Sequence, residues 1–189
     1  MLQGCDKTVI KYLEGSRIVI FTDPETTCDV PELRYLNDSK CFDGRDYKGT
    51  VGLGGVRGNP VTTIKESNLL RNKNNKGYVS ESILVHEFGH HIMNIGISNE
   101  LKEEVKKCYL EAKNNKHHVQ DCYMMANNEE YWAEGVQAWF HASVRKDVNS
   151  GMNTKEHLYE KDPNLAKLME KVFGSNSWLY SDDMPGGKW

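Results

Sequence analysis

The chain has 189 residues, enough for one compact unit with a substantial core and too few for two comfortable ones. Apolar side chains make up 38% and charged ones 27%, with a formal net charge of -3, a balance that excludes a disordered or fibrous chain. No basic stripe points to nucleic acid, and no apolar run is long enough to span a bilayer.

In chain order, Met1-Leu2-Gln3-Gly4-Cys5 precedes no apolar segment and does not read as a signal peptide. Arg17-Ile18-Val19-Ile20-Phe21 is short and β-branched between Gly15 and Pro24, which predicts a buried strand. Residues 29–49 are rich in Asp, Pro, Asn and Gly and read as a long loop with local turns. Residues 50–56 are broken by Gly52, Gly54 and Gly55, and a turn at 58–60 leads into a strand Val61-Thr62-Thr63-Ile64. Its leading Pro60 favours an edge position.

Helices dominate after residue 78. Ser80 is the expected N-cap of a helix through about Ile95, stopped by Gly96. Ser98 or Asn99 caps a second, running to about Lys113 before Asn114-Asn115. A capping-box-like start at Asn127 opens a third that should reach about Val144. Asp162-Pro163 opens a last one, closed by Gly174, and the tail from Asp182 has no periodicity. The expected class is α+β, with a small mixed sheet in the N-terminal half and helices in the C-terminal half. We expect a single domain over 1–189, with a sheet-rich lobe to about 78 and a helical lobe from about 79.

The most informative stretch is His86-Glu87-Phe88-Gly89-His90. On a helix the two histidines stack on one face a turn apart, where two neutral imidazoles can bind one Zn2+. Glu87 projects toward the same side and would reach a water on the metal, the placement of a general base. Leu84, Val85, Phe88 and Ile92 make the helix look buried, so His86, Glu87 and His90 share one cavity. His91 points off that face and reads as a packed histidine, and His117, His118, His141 and His157 lack partners at ligand spacing.

A catalytic zinc takes a third protein ligand and keeps an open position. A nearby third histidine fails, because Met93 and Gly96 stand where the extended motif needs Gly and His. A carboxylate from the helix at 127–140 is the other source. Glu130 and Glu134 share a helix face at i, i+4, so that one can bind the metal and the other can hold a ligand histidine's second nitrogen. The aromatic and apolar residues around them make that helix core-like, and acidic groups inside it call for charge partners.

Together these two segments resemble the gluzincin zinc metallopeptidases, most closely the anthrax lethal factor-like catalytic domains. Those share the H-E-F-G-H core and a later helix of the form N-x-x-E-aromatic-aromatic-A-E, to which Asn127–Glu134 is similar. The resemblance covers mainly residues 80–140. It implies a zincin-like fold, Glu130 as third zinc ligand, Glu134 as the supporting acid, and Tyr123, seven residues before Glu130, as oxyanion donor. It also implies a peptide or protein substrate, held as an added strand against 52–56 or 61–64. Arg57, between those segments, is more simply a surface arginine.

The leading reading is therefore a zinc-dependent endopeptidase with Glu87 as general base. The competing one is an inactive zinc-containing module that binds a protein or glycan, which leaves Glu87 without a purpose. Five cysteines allow short disulfide loops between Cys28 and Cys41 or between Cys108 and Cys122, which leans toward a secreted protein.

Overall fold

The computed structural model describes residues 1–72 and 79–184, so the expected lobe boundary and the end of the tail fall outside the described residues. The fold is α+β. A three-stranded mixed sheet lies in the N-terminal half, and most helices follow it.

Helix α1 (Lys7–Tyr12) starts on Asp6, whose carboxylate accepts from the Thr8 N–H. Strands β1 (Arg17–Phe21), β2 (Gly52–Leu53) and β3 (Val61–Lys65) form the sheet in the order β1-β3-β2. β1 pairs parallel to β3 with Arg17 opposite Val61, and β2 pairs antiparallel with Gly52 opposite Ile64. Strand β3 is central, not at the edge. Pro60 lies just before it and still contributes, because its carbonyl accepts from the Arg17 N–H, so no ladder bond is lost to its missing donor. The loop between β1 and β2 folds into short 3-10 turns at Thr27–Asp29, Pro31–Leu36 and Tyr47–Gly49.

After the single turn α2 (Glu66–Leu69) comes α3 (Ile83–His91), which carries both motif histidines and continues as a π-helical turn to Gly96. Its N-cap is Ser82 rather than Ser80. Residues 80–82 instead run extended against 142–144, where the Ser82 N–H donates to Ala142 O and the Val144 N–H to Ser80 O. The same bridge ends α5 (Asn128–Trp139) before the expected Val144, with His141 turning at φ 52°. One local pairing thus shortens both helices. Between them α4 (Asn99–Asn114) is capped by Ser98, as its sequence predicts. Two helices follow, α6 (Lys155–Lys161) and α7 (Pro163–Phe173), the latter with Asp162 as N-cap, Pro163 at its first turn and Gly174 at its end.

The main core lies among these helices and contains Trp132, Phe140, Leu165, Met169 and Phe173, all essentially inaccessible. A smaller cluster of Phe21, Val30 and Leu33 covers the other face of the sheet. Helix α3 is clamped between sheet and α5 by glycines on both sides. A Cβ on Gly54 would sit 2.6 Å from His90 Cβ, and one on Gly55 would sit 2.4 Å from His91 Nδ1. On the opposite side, Gly89 would place a Cβ 3.3 Å from Val136 Cβ, and its carbonyl accepts from Trp132 Nε1 at 2.9 Å. The glycines at 52–55 therefore admit the motif helix. His91 is fully buried between Thr62 Oγ1 at 2.8 Å and Ser16 Oγ at 2.7 Å, and ties α3 to the sheet.

All five cysteines carry free thiols, so neither short disulfide loop forms. Among the described residues no helix is long and apolar enough to cross a membrane.

Candidate metal centre

The close approach of α3 and α5 brings three ligand atoms to one point. His86 Nε2 lies 3.1 Å from His90 Nε2 and 3.0 Å from Glu130 Oε2, and His90 Nε2 lies 3.4 Å from the same carboxylate oxygen. Two ring nitrogens and one carboxylate oxygen thus form a compact triangle, an arrangement that a shared cation would satisfy. A small four-coordinate cation with bonds of about 2.0–2.1 Å needs ligand atoms about 3.3–3.4 Å apart, close to the edges observed. Among the described residues these three form the one group of His, Cys, Asp or Glu side chains that could hold a metal ion. The donor set, two imidazoles and one carboxylate, leaves a fourth position for an exchangeable ligand.

Each side chain is positioned by its helix. On α5 the Asn127 side chain accepts from the Glu129 and Glu130 N–H groups, which fixes the first turn and the root of Glu130. Behind His86, Nδ1 faces Gln137 Oε1 at 3.4 Å and Glu134 Oε1 at 3.5 Å. With acceptors on that side, a proton on Nδ1 is held in place, which leaves Nε2 as the ligand atom once a bound cation displaces the proton there. Glu130, Glu134 and Gln137 stand at i, i+4 and i+7, so one face of α5 supplies them all. Gln137, which also donates to Ser82 O at 3.0 Å, was not foreseen, although its helix spacing was legible.

Electrostatics bind the cluster tightly. Burial opposes a charge on His86, but its hydrogen bond to Glu130 and the charges of Glu130, Glu134 and Glu87 raise its pKa to about 10. Burial opposes ionisation of Glu130 too, and the His86 and His90 contacts overcome it, holding the carboxyl well below its usual range. Burial pushes the Glu87 carboxyl up, opposed by the two histidines and by a hydrogen bond from the Gly54 backbone. Glu134 is raised by burial to about 7. Tyr123 is pushed far up by burial and by Glu130, so its hydroxyl stays a donor at any physiological pH.

Two cavities of about 380 and 300 Å³ flank the centre, and His86, Glu87 and Tyr123 line both. Tyr123 opens a 3-10 turn, with its ring centroid 6.2 Å from that of His86 and an equal distance from that of exposed Phe42. All six side chains expected at the site, His86, Glu87, His90, Tyr123, Glu130 and Glu134, are thus gathered around one cleft. Of the two segments expected at its rim, β2 lies there, with Gly52, Leu53, Gly54 and Val56 lining the smaller cavity. Strand β3 is buried behind it, and Arg57 is exposed and lines neither cavity.

No family model matches the chain, and no curated protein matches it. Among solved structures, the fold is similar to that of the PRO-PRO endopeptidase PPEP-2 from Paenibacillus alvei, at a TM-score of 0.57 and 16% identity. The similarity covers 90% of this chain and 85% of that one. At this identity the likeness is one of fold.

Proposed function

We propose that this protein is a zinc-dependent endopeptidase of the gluzincin type, with residues 1–189 acting as one catalytic domain. The observation that carries the reading is the convergence of His86, His90 and Glu130 beside Glu87 in an open cleft. The endopeptidase name of the structural neighbour agrees with the reaction class. His86, His90 and Glu130 would hold the ion, with Glu134 and Gln137 orienting His86. Zinc in that position supplies a Lewis acid that polarises the scissile carbonyl and acidifies water near neutral pH.

The chain's own residues do the rest. Glu87 takes a proton from the attacking water and returns it to the departing amine, for which a partly desolvated carboxylate with a raised pKa is suited. The Tyr123 hydroxyl donates to the oxygen that becomes negative as the carbonyl turns tetrahedral. Among the described residues strand β2 pairs only with β3, which leaves its outer edge to pair with an extended peptide along the cleft. A glycan- or protein-binding module would have no use for a half-buried carboxylate next to the metal ligands.

Digestion of a mixed peptide library, read by mass spectrometry, tests the reading. Internal cleavage is expected with zinc, lost on chelation and restored by zinc. A zinc-loaded protein that leaves every peptide intact would refute it.

A further inference from the structure

The larger cavity beside Glu87 has a chemistry of its own. Its lining includes Asp43, Arg45, Glu81, Glu134, Arg145 and Asp147. Both arginines are already engaged. Arg145 reaches Glu81 Oε1 at 2.6 Å and Asp147 through two bonds of 3.1 and 2.6 Å, and Arg45 Nε meets Asp43 at 2.6 Å. The second oxygen of Glu81 accepts from Gln137 at 3.3 Å. Counting Glu87 and leaving Glu134 aside, four carboxylates face two guanidiniums, a net charge of -2. A divalent ion on His86, His90 and Glu130 would add one net positive charge beside this wall and leave the whole at -1.

Independently, one acceptor in this wall has nothing to accept. Glu134 is 1% exposed and turns Oε1 to His86, while its Oε2 has no hydrogen-bond partner. A buried carboxylate oxygen without a donor is costly, and because Glu134 lines this cavity, a donor arriving with the ligand would relieve it.

We propose that this cavity is a specificity subsite for a lysine or arginine side chain of the substrate, at a position adjoining the scissile bond. The proposal rests on the peptidase reading for the identity of the ligand as a peptide. The cationic group is attracted by the net negative wall and supplies the donor that Glu134 Oε2 lacks. The volume, about 380 Å³, accommodates either long side chain. A free N-terminal amine has the same chemistry, but the second cavity shares Arg45, Gly52, Glu87 and Tyr123 with the first, so the cleft extends beyond this subsite and leaves room for a chain on either side of the side chain.

The test uses zinc-loaded parent protein, in which Glu87 keeps its charge, in titrations completed before measurable turnover, and N-acetylated peptides that differ only in carrying Lys, norleucine or Glu in the central positions. Titration should show the Lys series binding about tenfold more tightly than norleucine, with Glu weakest. Asp147→Asn, at a largely exposed residue whose change leaves folding undisturbed, should narrow the Lys-to-norleucine ratio severalfold, and Asp43→Asn should act in the same direction. Norleucine binding as tightly as Lys would overturn the proposal, as would absence of all binding or a ratio unmoved by both variants. Binding only of peptides with a free N-terminus would overturn it in favour of amine capture. Hydrolysis of the same peptides by the parent protein is read separately. Lys-selective binding without any hydrolysis would sink the peptidase reading and leave the subsite standing.

Discussion

Glu87→Gln should lower kcat for peptide hydrolysis by about 10³–10⁴-fold while zinc stays at one per chain. At about 1.4 kcal/mol per decade, that is roughly 4–5.5 kcal/mol of transition-state stabilisation. Glutamine has the size and shape of glutamate, and its amide oxygen can still accept from the Gly54 backbone, so the contact with β2 survives. Gly52 leaves no slack there either, since a Cβ on it would lie 2.8 Å from Glu87 Cγ, and the isosteric change keeps that packing. What is lost is the ability to take a proton. KM should therefore change little, because Glu87 acts in the transition state more than in substrate binding. Steady-state kinetics with any cleaved peptide, alongside metal analysis, gives both numbers. Parent-like hydrolysis by the variant would remove Glu87 from the mechanism.

Glu130→Ala should abolish activity by a different route, through loss of the metal. Apparent zinc-binding free energies of about 10–16 kcal/mol, shared among three or four ligands, assign each about 3–4 kcal/mol, so affinity should fall by more than about 100-fold. The helix itself should survive. Asn127 caps it through the Glu130 backbone N–H, which alanine retains, and the core contacts of α5 come from Trp132, Val136 and Trp139. Circular dichroism should match the parent, while a competition titration with a chromophoric chelator reads the weakened zinc. Gln137→Ala, which removes an acceptor behind His86, should weaken zinc by about 10–100-fold and leave all three ligands in place. Unaltered zinc affinity in Glu130→Ala would show that the third ligand lies elsewhere.

The site was more legible than the frame around it, for physical reasons. A metal centre imposes residue types at fixed helical spacing, and both spacings survive in one dimension: 86 and 90 on α3, 130 and 134 on α5. Helix starts with side-chain caps were legible at Ser98, Asn127 and Asp162 because a cap is a local hydrogen bond. The errors lie where a distant segment decides. Ser80 was the expected cap, and the pairing of 80–82 with 142–144 moves the helix start to Ser82. Pro60 suggested an edge strand, but a proline that precedes a strand costs it no ladder bond, and β3 takes a neighbour on each side. Gly52, Gly54 and Gly55 were visible only as interruptions of the segment 50–56, and the structure makes them places of close approach. That the approaching body is α3 follows from tertiary packing that no local pattern encodes. The unpaired thiols at Cys28 and Cys41, and at Cys108 and Cys122, show the limit of arguing from spacing alone.

The most direct test of the proposed zinc-dependent activity is a titration of metal-free protein with zinc, following hydrolysis of a cleaved internal-bond peptide. Activity should rise from nothing and break sharply at one zinc per chain. Hydrolysis that proceeds before any metal is added, or a protein that binds its full equivalent of zinc and still cleaves nothing, would contradict the account.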